Sequence, residues 1–313
     1  MSVKKDHPAA VFVDGVFRDD NGKITRMPQS IYYKKLKMPN LRTSRANAAH
    51  PCVFARYDSE ASLESSIERV ELKDYDLLMA CLTLRFNSLP KDLFQRFGPI
   101  YYSFIPAEWD EEVINHALKI IGQWCKRHGY PFVVNIFPQH TSRPLFKEPP
   151  QLQIEVELFE FLRQLNSVTE AYCLYVAISE KHTGWLENEF IVISDGDRCC
   201  QVKLSDLKAA ACKDMLSNRL ELIHVQQDMN DDGEIEICAS SVFDAALYEL
   251  EQYIRSPARE SQIVICKSCG RAFRLQPGQD RRTKYCHNPC TPQSHYKGKK
   301  RSREQLAAAP KEQ

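Results

Sequence analysis

The chain has 313 residues, of which 43% are hydrophobic and 10% aromatic, and a formal net charge of +1. That composition excludes an intrinsically disordered protein, and the length is enough for a substantial core with a small module appended. The near-zero charge conceals an asymmetry: residues 1–266 hold 30 Lys and Arg against 38 Asp and Glu, whereas residues 267–303 hold eleven cations and one acid, Asp280.

In chain order, Val11-Phe12-Val13 and Val16-Phe17 flank Asp14-Gly15 and predict a small hairpin. Lys34 to Lys37 and Arg42 to Arg45 predict a polar, mobile stretch. From Ala107 the pattern turns helical, with Trp109, Val113, Ala117, Ile120, Ile121 and Trp124 recurring at three- and four-residue steps. Acids at 110–112 and bases at 126–128 suit the helix dipole, and Gly129 supplies a stop. Pro131 to Phe137 predicts a short buried strand, and the proline-rich run from His140 to Pro150 a linker. A long helical segment is expected from near Leu152 to Ser179, with Leu158, Phe159, Leu162 and Leu165 on its apolar side.

Phe190–Ser194 and Cys200–Lys203 read as strands about the turn Asp195-Gly196-Asp197, followed by a short helix over Ser205–Leu216. Leu220–Val225 and Ile235–Ile237 predict a second hairpin around Asn230–Gly233. An amphipathic helix over Ser241–Ile254 then leads to the strand Ile263–Ile265. The expected organisation is an α+β body with a small C-terminal treble-clef-like zinc finger. Its parts are a mixed α/β region over 1–148, an α/β region over 149–257, the finger with a basic helix over 262–303, and a disordered tail over 304–313.

No apolar stretch is long enough to span a bilayer, the longest running from Ala171 to Ile178, and the first residues carry no signal-peptide pattern. The expectation is a cytoplasmic protein without a membrane partner. Thiols stay reduced in that compartment, so clustered cysteines point to metal rather than disulfides. Eight of the twelve cysteines are scattered among apolar residues and read as small core hydrophobes.

The other four, Cys266, Cys269, Cys286 and Cys290, form C-x2-C, sixteen intervening residues, and C-x3-C. Two close thiolate pairs separated by a short excursion suit tetrahedral Zn²⁺. Gly270 suits the tight turn after the first pair, Phe273 and Leu275 can cover the metal core, and Arg281 to Tyr285 is expected to return as a strand. Thr291-Pro292 is a helix start. His287 and His295 lie within reach as substitute ligands.

The cations around the cluster suit phosphate, which makes nucleic acid the expected partner. The candidate contacts are Arg271, Arg274, Arg281, Arg282, Lys284, Lys297, Lys299, Lys300, Arg301 and Arg303. Ser241–Leu250, Ile263–Phe273 with its two cysteines, and Arg282-Thr-Lys-Tyr-Cys286 with the basic tail together resemble the CGNR-type zinc finger. In bacterial proteins that finger follows an α/β region called ABATE. The resemblance covers the last third of the chain. It implies zinc at the four cysteines, DNA rather than RNA as the nucleic acid, and a role in transcription regulation. The region from Leu152 to Ile254 is large relative to the module it precedes, and the body is expected to sense a ligand or a protein partner. Thr291-Pro292-Gln293 stands after Cys290 where the family has Gly-Asn-Arg.

Two other classes compete: a zinc-dependent protein–protein interaction module, and a nucleic-acid-processing enzyme targeted by the finger. The acids Asp14, Asp19 and Asp20, and Asp195 with Asp197, sit in turns where acids are ordinary. No phosphate-cradling glycine motif, H-E-x-x-H or G-x-S-x-G occurs, and no catalytic residue is assigned.

Overall fold

The computed structural model describes residues 31–44, 51–73, 75–90, 93, 110–133, 152–179, 189–195, 198–221, 223–229, 235–255, 263–275, 285–286 and 290, and the backbone of the strands at 11–13 and 16–18. In chain order the first elements are β1 (Val11–Val13), β2 (Val16–Arg18), β3 (Ile31–Leu36), β4 (Arg42–Thr43), β5 (Cys52–Tyr57), α1 (Glu60–Ser65) and β6 (Ile67–Glu71). Next come α2 (Asp76–Thr83), a wider turn of π geometry at Leu84–Ser88, α3 (Glu111–His128), β7 (Leu152–Glu157) and α4 (Leu158–Ser179). The remainder is β8 (Phe190–Asp195), β9 (Arg198–Lys203), α5 (Ala209–Glu221), β10 (Val225–Met229), β11 (Ile235–Ala239), α6 (Val242–Arg255), β12 (Ile263–Ile265) and β13 (Ala272–Arg274).

The chain is an α+β protein. One sheet has the order β10-β11-β3-β6, with β11 and β3 parallel and its other pairs antiparallel; a second has the order β4-β5-β7. β1–β2, β8–β9 and β12–β13 are antiparallel hairpins. Strands from either side of residue 149 share both larger sheets, so the boundary expected at 148/149 falls inside one core. Pairing of β5 with β7, about a hundred residues apart, is non-local and leaves no mark in the sequence between them.

α4 is the central helix. Thirteen of its 22 residues are buried, among them Phe161, Leu162 and Leu165, so it is covered on nearly every side rather than along one stripe. Trp124 of α3 packs edge-on against Phe161 at 5.3 Å and stacks on Phe243 of α6 at 5.8 Å. That aromatic cluster ties the three helices together.

α3 begins at Asp110, whose side chain accepts from Glu112 N at 2.9 Å, and ends at Gly129 with φ +91°. A Cβ at Gly129 would stand 2.6 Å from Lys35 Cγ and 2.9 Å from Leu36 O, so the glycine lets the helix end press on β3. Tyr130 N then donates to Leu36 O at 2.9 Å. α6 starts with a reciprocal cap: Asp244 N donates to Ser241 Oγ at 3.0 Å, and Ser241 Oγ donates to Asp244 Oδ2 at 2.6 Å.

Four expectations are corrected. Residues 152–157 form a strand, because Leu152, Ile154 and Val156 alternate with Gln153, Glu155 and Glu157 at the period of an extended chain. Lys34–Leu36 belong to β3, an interior strand whose Tyr32, Tyr33 and Leu36 are buried, so tertiary pairing overrides their polar neighbours. Leu220 and Glu221 close α5, leaving the hairpin strands at 225–229 and 235–239. Residues 131–133 carry no strand, and 134–137 lie outside the described residues, as do the linker at 140–150 and everything beyond Cys290. Cys52, Cys81, Cys125, Cys173, Cys212 and Cys238 are buried, in keeping with a core role for the scattered cysteines. No helix among the described residues is long and apolar enough to cross a membrane.

Candidate metal centre

Cys266, Cys269, Cys286 and Cys290 converge, with their four Sγ atoms all within 4.8 Å of one another. Cys269 and Cys286 sulfurs are 3.6 Å apart, and those of Cys286 and Cys290 3.7 Å. Neither spacing is a disulfide, which requires about 2.05 Å. Metal–sulfur bonds of about 2.3 Å in a tetrahedron put the sulfurs about 3.8 Å apart, close to both spacings. The four residues could therefore hold one metal ion. They are the one group of three or more potential ligands found among the described residues.

Local chemistry builds the first pair. Cys266 N donates to Arg271 O at 2.9 Å, and Gly270 N donates back to Cys266 O at 2.8 Å. This closes a knuckle in which Gly270 takes φ +74°. Burial pushes the Cys266 thiol up, but the N–H groups of Cys269, Cys286 and Ser268 outweigh it and bring it down to about 7. The Cys286 thiol is driven up by burial and by the neighbouring sulfurs of Cys269, Cys266 and Cys290. Without a cation, four adjacent sulfurs cannot all ionise. The core thiols of Cys81, Cys125 and Cys173 are likewise raised by burial, without any such donor set.

The knuckle does not project from the body. Ile263 N donates to Tyr253 Oη at 3.0 Å, and Tyr172 Oη donates to Ile263 O at 2.9 Å, so tyrosines of α6 and α4 satisfy the outer edge of β12. Ala272 N donates to Thr83 Oγ1 at 3.1 Å, and Asn87 Nδ2 donates to Cys269 O. A Cβ at Gly270 would lie 1.9 Å from Phe86 O, so the glycine also permits the knuckle to seat on the π turn after α2. Ile263, Ile265, Ala272 and Leu275 are buried.

Glu249 reinforces the seat from below. α2 begins at Tyr75, which has φ 58° and offers no side-chain cap. Glu249 Oε2 of α6 instead accepts from Leu78 N at 2.8 Å. Burial drives the Glu249 carboxyl up to about 8 despite the backbone N–H groups of Leu78 and Leu77.

Of the ten cations expected at nucleic acid, Arg271 and Arg274 are described. Arg271 is exposed beside the first cysteine pair. Arg274 is turned onto the body, its guanidinium 5.5 Å from the Tyr75 ring centroid and 4.0 Å from Asp76 Oδ1. Arg281, Arg282, Lys284, Lys297, Lys299, Lys300, Arg301 and Arg303 lie outside the described residues, as do His287, His295 and the helix start at Thr291-Pro292. Sequence reasoning misses Thr83, Asn87, Tyr172 and Glu249, which hold the centre in place. Their spacing from the cysteines exceeds any local motif.

Fold and site together define an α+β protein with a docked four-cysteine centre. No protein-family model, curated protein or solved structure matches the chain.

Proposed function

We propose that the four cysteines bind one zinc ion and that the chain is a zinc-finger nucleic-acid-binding protein, a DNA-binding regulator of transcription of the CGNR-like kind. The observation that carries this reading is the convergence of four thiols at tetrahedral spacing, the first of them at the head of the one strongly cationic segment and the other three within it, with eleven bases against one acid over residues 267–303. An all-thiolate set favours zinc over harder cations such as Mg²⁺ or Ca²⁺. Zinc at such sites contributes about 10–16 kcal/mol, which is coupled to folding of the segment. The cations beyond Cys286 then supply phosphate contacts, which position the protein on the duplex more than they read its sequence.

The test is metal content and binding on the full chain. About one zinc per chain is expected, with salt-sensitive binding to a duplex oligonucleotide lost on Cys266→Ser. Neutralising about six phosphates gives a log–log salt slope near −5. Zinc-replete protein that binds neither duplex nor single strand at low salt refutes the nucleic-acid reading. Tighter binding to RNA than to DNA of the same sequence refutes the DNA assignment.

A further inference from the structure

A cavity of about 760 Å³ lies against the metal centre, between α2, the last turns of α3, the β3–β6 edge and the knuckle. That volume falls within the range of sites for small organic molecules, about 300–1,000 Å³. Its wall joins aromatic surface from Tyr33 and Trp124 to apolar surface from Leu77 and Met79.

The charges of the lining are unequally committed. Lys35 Nζ pairs with Glu68 at 3.0 Å, Lys73 Nζ with Glu71 at 3.1 Å, and Asp76 faces Arg274 at 4.0 Å. Arg127, at the end of α3, and Arg271, on the knuckle, are exposed and have no ion-pair partner among the described residues. Glu249 offsets neither near neutral pH, because burial raises its carboxyl to about 8. His128 adds no charge, since burial first, and then Arg127 and Lys35, hold it down to about 4. What remains is an aromatic-walled cavity with two uncommitted guanidinium groups.

We propose that this cavity is a binding site for a small organic anion with an apolar ring, its carboxylate or phosphate held by Arg127 and Arg271 and its ring against Tyr33 and Trp124. Guanidinium forks match both anionic groups. Arg271 and Ala272 follow Cys269 after Gly270, so the knuckle that carries the first cysteine pair supplies one wall. Any coupling between anion and metal is then reciprocal, each changing the other's affinity by the same factor. The inference rests on the knuckle's position and not on nucleic-acid binding.

Calorimetric titration of the zinc-loaded full chain with benzoate, 2-naphthoate and phenyl phosphate tests it, with 2-naphthamide as the uncharged control. Saturable one-to-one binding of at least one anion is expected, with the amide at least tenfold weaker than the naphthoate. Arg127→Gln and Arg271→Gln each weaken the anion about tenfold, the loss expected for one charge-assisted contact. Both side chains are exposed, and an unchanged circular dichroism spectrum with full zinc content verifies that the variants are folded. No saturable binding of any of the three anions up to about 1 mM overturns the proposal. So does an amide that binds as tightly as the acid, or a pair of arginine variants that bind like the parent. Nucleic acid is absent from this assay, so its outcome is separate from that of the DNA-binding test.

Discussion

Gly270→Ala probes how the metal centre is seated. The residue holds φ +74°, where a Cβ costs alanine about 1 kcal/mol. The added carbon would also stand 1.9 Å from Phe86 O, against a comfortable carbon–oxygen separation of about 3.3 Å, so the knuckle must retreat by about 1.4 Å. A retreat of that size breaks the bond from Asn87 Nδ2 to Cys269 O and the 3.1 Å bond from Ala272 N to Thr83 Oγ1, at about 1 kcal/mol each. The sum is about 3 kcal/mol, and because metal binding and folding of the knuckle are linked, it corresponds to roughly a hundredfold loss of zinc affinity. Competition with a chromophoric chelator measures the affinity, and urea unfolding of the zinc-loaded protein measures the stability. Affinity within threefold of the parent, with an unmoved urea midpoint, would refute the seating argument.

Gly122→Ala is the matched control: its Cβ would meet Val53 at an ordinary 3.7 Å inside α3, so helix propensity should raise stability by about 0.5–1 kcal/mol in the same urea assay. Tyr172→Phe leaves the buried Ile263 carbonyl without its donor and should cost about 1–2 kcal/mol, together with a measurable fall in zinc affinity. Arg219→Ala removes the cation from Glu170, which is buried on α4 and also accepts from Asn166 Nδ2, and should lower the unfolding free energy by about 3 kcal/mol. Glu249 retains its proton in the folded state up to about pH 8, whereas an unfolded glutamate ionises near 4.5. The native state therefore binds more protons between those values, and its stability falls as pH rises, by up to about 1.4 kcal/mol per pH unit. Glu249→Gln keeps an acceptor for Leu78 N but cannot ionise. The stability difference between parent and variant should thus slope from pH 5 to 8, and a flat difference contradicts the assignment.

Local chemistry makes several elements legible in the sequence. The 3.6-residue recurrence from Val113 to Trp124, the acids and bases at its ends and Gly129 mark α3; Ser241 and the apolar face after it mark α6. Alternation over Leu152–Glu157 is equally present but is masked by the helical run of Leu158, Phe159, Leu162 and Leu165 that follows without a break. β3 escapes the pattern because Lys34 and Lys35 within it and Lys37 just after it break the apolar run, while the partners that bury Tyr32, Tyr33 and Leu36 lie far along the chain.

The cysteine set and its turn are written in a short stretch of chain. Ligand chemistry requires two close pairs of thiols, and Gly270 directly after Cys269 meets the positive φ that the knuckle adopts. Where that knuckle sits is a matter of tertiary packing alone. Thr83, Asn87, Tyr172 and Tyr253 reach it across separations of ten to nearly two hundred residues, and Arg274 turns from solvent toward Tyr75 and Asp76. The same non-local packing places Arg127 and Arg271 on one cavity and leaves Glu249 protonated beside it. Ligand spacing is local, whereas the dielectric and the partners of a side chain are set by whatever else folds against it.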